Sequence, residues 1–233
     1  ADEVSRRIAR HAAELIHDGD TIQFGVGKVP QAVVAALGEK RDLGLHTGLA
    51  SPVVRPLIEN GVMNGRHKSR DKGRHVTGAL CGDADFYRWF AGRDDLAMRP
   101  VSYTHAHAVL SEIDNLVAIN SALEIDLFGQ ANAEMARTRQ VSGSGGLVDF
   151  VRGARASRGG RSLICLPAAS GGGKRSNIVS RLGGVTTIAR TDIDIIVTDF
   201  GAAHLRHLPA EARAEALIAI AAPEFRDKLA NDW

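Results

Sequence analysis

Thr21-Ile22-Gln23-Phe24 runs without a break into Gly25-Val26-Gly27-Lys28-Val29-Pro30 and then into an apolar stretch from Gln31 to Leu37. A strand that turns on glycines straight into a helix constrains the fold strongly. The helix must carry the chain across the sheet to a further, parallel strand. The unit recurs: strand from Leu43 to His46 and helix from Pro52 to Asn60, then strand from His75 to Leu80 and helix from Asp83 to Ala91. Upstream, Val4, Ile8, Ala12, Leu15 and Ile16 fall at helical spacing between Glu3 and His17, and His17-Asp18-Gly19-Asp20 stops that helix. Downstream, strand patterns at Leu116 to Asn120, Leu123 to Leu127, Ser162 to Leu166 and Ile193 to Thr198 alternate with helical ones. Those helices are Gly145 to Arg155, Ala210 to Ala219 and Pro223 to Ala230. Apolar, β-branched strands alternating with helices predict an α/β fold: an open, mostly parallel sheet with helices on both faces.

No internal repeat and no linker divides the 233 residues, so a single domain spanning 1–233 is expected. A net charge of +2 gives no argument for nucleic acid, and no apolar run approaches the ~20 residues of a membrane span. Two cysteines, Cys81 and Cys165, form neither a disulfide framework nor a metal-ligand spacing, which fits a reducing cytoplasm. The chain opens on Ala1 rather than Met and reads as processed or recombinant.

Two glycine loops carry the chemical signal. In Gly25 to Pro30, backbone N–H groups can approach a ligand closely at a helix N-terminus, which favours negative charge. Many such turns use glycine for geometry alone. In Gly143-Ser144-Gly145-Gly146-Leu147-Val148-Asp149-Phe150, three glycines in four residues precede a helix. They form either a flexible turn or a nest of donors able to hold a thioester oxyanion.

These loops, with Met98-Arg99-Pro100-Val101, Ala118 to Gln130 and Thr198 to Arg206, resemble the acetyl-CoA hydrolase/transferase family in collinear order from about Ile8 to Leu229. That family comprises the class I CoA-transferases of the 4-hydroxybutyrate/acetate type. The resemblance implies the NagB/RpiA/CoA-transferase-like fold. It also implies coenzyme A as substrate or ligand, with Gly25, Val26, Gly27, Lys28, Val29 and Gly145 as its binding residues. No metal is implied, and Gly145 and Gly146 become the oxyanion donors. The match is to the C-terminal half of the family's usual polypeptide. A fragment, a separately encoded subunit and a reduced stand-alone protein all remain open. A homo- or hetero-oligomer, or a partner half, is expected to complete the cleft.

Against this background Leu43-Gly44-Leu45-His46-Thr47-Gly48 departs from the pattern, because the family usually places its nucleophilic glutamate after His-Thr. Gly48 has no side chain to attack a thioester, so the glutamyl-CoA intermediate is excluded at that position. The other carboxylates weighed are Glu59, Glu112 and Glu124, the last read as structural. A second departure accompanies the first: Tyr103-Thr104-His105-Ala106-His107 puts His105 near a family asparagine. A histidine there suits general-base work, and His46, at the strand end, is a further catalytic candidate. The implied activity is hydrolysis of an acyl thioester or its acyl transfer without the glutamyl intermediate. The alternative is a non-catalytic CoA-binding subunit. Weaker candidates are expected to be structural: Arg66, Lys68, Arg70, Lys72 and Arg74 as a solvated basic loop, Cys81 as a buried thiol, and Asp149 as a cap on backbone donors.

Overall fold

The computed structural model describes residues 2–233. Eight strands form the main sheet: β1 (Thr21–Phe24), β2 (Gly44–Ala50), β3 (His75–Leu80), β4 (Leu96–Met98), β5 (Leu116–Ser121), β6 (Arg161–Cys165), β7 (Ile195–Thr198) and β8 (Gly201–His204). Their order is β8-β7-β6-β5-β1-β2-β3-β4, parallel throughout except for the β7–β8 pair. The chain winds outward from β1 to β4, returns to lay β5 on the other side of β1, and winds outward again. The order therefore reverses between β1 and β5, where open α/β sheets place their ligands at the strands' carboxyl ends.

Nine α-helices flank the sheet among the described residues: α1 (Glu3–Glu14), α2 (Lys28–Ala35), α3 (Arg55–Glu59), α4 (Ala84–Ala91), α5 (Val101–Thr104), α6 (His107–Ser111), α7 (Leu147–Ala156), α8 (Ala210–Ala219) and α9 (Pro223–Asp232). Side chains alternate across the strands as the pleat requires. Val117 and Ile119 of β5 join the core beneath α1 and α2, whereas Leu116 and Ala118 meet Leu110, Phe150 and Ala154 of α6 and α7. In β6, Leu163 and Cys165 face the first core, and Ile164 faces the layer built with α8 and α9. Helix ends are set locally: the Asp2 carboxylate accepts from the Ser5 amide at 2.8 Å, and that of Asp83 from Phe86 at 2.9 Å.

Several boundaries differ from the sequence expectation for physical reasons. Helix α2 starts at Lys28, since Pro30 is tolerated in a first helical turn and Gly27, at φ +130°, makes the entry. Strand β2 continues beyond His46 through Gly48 to Ala50, paired with β3 from His46↔Val76 to Ala50↔Leu80. The helix expected from Pro52 to Asn60 is a 3₁₀ turn, Pro52–Val54, followed by α3, where Pro56 takes a first-turn place. Strands β4 and β8 and helices α5 and α6 are too short to show a period in sequence.

Two side chains correct the sequence reading. Cys81 is exposed, because it follows the last residue of β3 as the chain leaves the sheet. Lys68 is buried: its stem lies over Gly44, and its Nζ donates to the carbonyls of Leu45 (3.0 Å) and Arg74 (2.7 Å). Burial draws its pKa down to about 8.

Candidate active site

The carboxyl ends of β1, β2, β3 and β5 and the loop entering α7 enclose an open cleft. Gly25, Val26, Gly48, His105 and Gly143 to Leu147 all line it, so both glycine loops, Gly48 and His105 meet in one place. Gly27, Lys28, Val29 and His46 do not line it; Lys28 borders a second depression with Gln31 of α2 and Val53. Among the described residues, no Asp or Glu lines the cleft. Glu59 pairs with Arg55 at 3.0 Å, Glu112 with Arg70, and Glu124 accepts from Asn132 at 3.4 Å.

His105 dominates the geometry. It follows the last residue of α5, and its imidazole lies against the Cα atoms of two glycines. A Cβ on Gly48 would stand 2.8 Å from His105 Cε1 and 2.9 Å from Nε2. A Cβ on Gly146 would stand within 2.3 Å of Nε2. Both lie inside any real carbon contact, so the ring fills the space that the first side-chain carbon at either position would need. Phe150 closes a third side, its ring centroid 4.7 Å away at 54°. Burial lowers the His105 pKa, opposed by the charge of Asp149. Asp149 is exposed and accepts no backbone hydrogen bond among the described residues, so it does not cap the helix as expected; it acts on His105 through its charge.

Other groups set this ring. Thr104 Oγ1 lies 2.9 Å from His105 Nδ1, and Thr104 is fully buried. His46, also fully buried, uses Nε2 to bond the Thr104 carbonyl at 3.1 Å, while its Nδ1 has no partner. Burial, helped by the charge of Lys68, lowers the His46 pKa to about 4, so it is neutral at physiological pH and donates through Nε2–H. Beside this ring, the amides of Gly145 (φ +52°) and Gly146 have no hydrogen-bond partner among the described residues.

Sequence reasoning missed one pair. The amides of Gln23 and Asn120 bond reciprocally at 2.9 and 3.3 Å on the cleft floor. A polar Gln23 inside the fully buried strand β1 is the signal that something must satisfy it. Gly25 packs on this pair, since a Cβ there would lie 2.5 Å from Asn120 Oδ1.

Comparison with known proteins identifies the family. The acetyl-CoA hydrolase/transferase C-terminal domain matches residues 82–233. This chain belongs to the acetyl-CoA hydrolase/transferase family. It is 38% identical to the 4-hydroxybutyrate coenzyme A transferase of Clostridium kluyveri, over 99% of this chain and 54% of that protein. It is 36% identical to the butyryl-CoA:acetate CoA-transferase of Anaerostipes caccae, over 100% of this chain and 54% of that one. The crystal structure of RipA from Yersinia pestis superposes with a TM-score of 0.95 at 39% identity, over 100% of this chain and 53% of RipA. The chain thus spans about half the length of the relatives it matches. The family's CoA-transferase-like fold is present as expected, and among the described residues no helix is long and apolar enough to cross a membrane.

Proposed function

We propose that this chain cleaves an acyl-CoA, or a related acyl thioester, by water attack rather than through a protein carboxylate. The observation that carries this reading is the His105 ring seated on Gly48, in a cleft lined by no Asp or Glu. His105 Nε2 takes a proton from water as the oxygen bonds to the thioester carbon. The carbonyl oxygen becomes an oxyanion held by the N–H groups of Gly145 and Gly146. The C–S bond then breaks, and the thiolate takes the proton back from Nε2. Gly48 supplies the room that the His105 ring occupies, and His46 supports His105 through the Thr104 carbonyl. Gly25 to Val29 and Gly145 receive coenzyme A, the loop at Gly25 and Val26 facing the cleft directly. The reaction as written requires no metal, and neither nucleic acid nor membrane has a part in it. Two unpaired cysteines fit a cytoplasmic setting.

The relatives' greater length favours a second half, on the same or another chain, that covers the cleft, in a homo- or hetero-oligomer. This supports a second reading, a CoA-binding subunit idle until that half joins. Incubation with a panel of acyl-CoAs, scoring free thiol and acyl transfer to acetate, separates the two. Thiol release alone is expected. Transfer to acetate would overturn the proposal, and turnover only after a partner is added would favour the subunit.

A further inference from the structure

Thr104 stands between the two histidines. Its carbonyl accepts from His46 Nε2 at 3.1 Å, and its hydroxyl faces His105 Nδ1 at 2.9 Å. The same hydroxyl reaches back to the Pro100 carbonyl at 3.5 Å, the habit of threonine on a helical turn. A hydroxyl has one proton to give. Given to Pro100, it leaves Oγ1 as an acceptor, which matches a His105 protonated on Nδ1. The opposite tautomer would point an Nε2–H at Gly48 and Gly146, where Nε2 has no hydrogen-bond partner among the described residues.

We propose that Thr104 is a positioning residue that holds neutral His105 as the Nδ1–H tautomer, so that an unprotonated Nε2 lies in the cleft lining beside Gly48 and Gly146. A base needs that nitrogen's lone pair, and an imidazole in the other tautomer could only donate there. His46 supports the arrangement by fixing the Thr104 peptide through its carbonyl. The inference deepens the reading of His105 as the base and rests on it for its effect on turnover. The tautomer itself is a property of the protein without substrate.

The test is long-range proton–nitrogen correlation NMR on ¹⁵N-labelled protein at pH 8, with the His105 ring assigned by its loss in His105→Gln. Nδ1 is expected to show the protonated nitrogen shift and Nε2 the unprotonated one. The reverse pattern overturns the proposal. Thr104→Val should move the ring toward the Nε2–H form and lower kcat with little change in KM. Thr104→Ser should retain the wild-type pattern and rate. A Thr104→Val spectrum identical to wild type would show that Thr104 does not set the tautomer. The wild-type spectrum decides the tautomer even if Thr104→Val is too unstable to study. An Nδ1–H ring in a protein that leaves every acyl-CoA intact would sink the catalytic reading while leaving the tautomer standing.

Discussion

Two glycines on the cleft floor, Gly25 after β1 and Gly48 within β2, each lie against a polar side chain too closely for a Cβ. Gly25 abuts Asn120, whose amide is tied to Gln23 by two hydrogen bonds. Gly48 abuts His105, which is held through Nδ1 alone and leaves Nε2 without a partner. The same steric device serves two ends. At β1 it closes a satisfied pair, as a buried amide requires. At β2 it seats a ring whose Nε2 makes no hydrogen bond to the described residues, in the cleft lining.

The largest way to break this contrast is His105→Ala. Thioester cleavage is expected to fall by about 10²–10⁴-fold, the usual contribution of a general base, when initial rates of thiol release are compared. Retained activity would return Gly48 and His105 to a structural role like that of Gly25 and Asn120.

The buried histidines extend the contrast to pH. His46 and His75 are drawn down to about 4 by burial. In the unfolded chain they titrate near ~6.5, so as pH falls the unfolded state binds protons first. The stability present above about pH 6.5 is then lost as pH falls toward 4, on the order of 3 kcal/mol per histidine. Urea midpoints at pH 7.5 and 4.5 measure it, and equal midpoints would contradict the burial described. His105, half-buried, is lowered by the same cause. The acid limb of kcat/KM is accordingly expected below the ordinary histidine range, with activity rising as the ring loses its proton.

A smaller effect sharpens the comparison directly. Gly48→Ala forces a methyl into the His105 ring and is expected to cost about 1–3 kcal/mol, as overpacking does. His105→Ala in the same chain should relieve that cost. Asn120→Ala is expected to cost a similar ~1–3 kcal/mol by leaving the Gln23 amide unpaired, and His105→Ala should not relieve it. Thermal unfolding of the two double-mutant cycles would show coupling in the first only. Coupling in both, or in neither, would remove the distinction between the sites.

Much of this is legible in the sequence. Apolar, β-branched runs at Leu116 to Asn120 and Ile193 to Thr198 mark strands because both sheet faces are covered, and the glycine loops mark where the cleft opens. Gly48 and His105 stood out in the sequence as well, through the resemblance. Their contact did not, since it depends on α5 packing against β2 and β3. Gln23 and Asn120 lie 97 residues apart and meet only because β1 and β5 are neighbours in register. Lys68 looked like one charge in a basic loop. Its burial follows from Gly44 on the facing strand, whose missing side chain leaves room for the stem. Such pairings are tertiary facts that local pattern does not carry.

The central claim is that water, not a protein carboxylate, meets the thioester. A single turnover of acyl-CoA, with protein in excess, in H₂¹⁸O, followed by mass spectrometry of both the released acid and the intact protein, tests it most directly. Direct attack predicts ¹⁸O in the acid and an unchanged protein mass. A glutamyl- or aspartyl-CoA intermediate would pass an unlabelled protein oxygen to the acid and leave ¹⁸O on the protein, and that result would contradict the account.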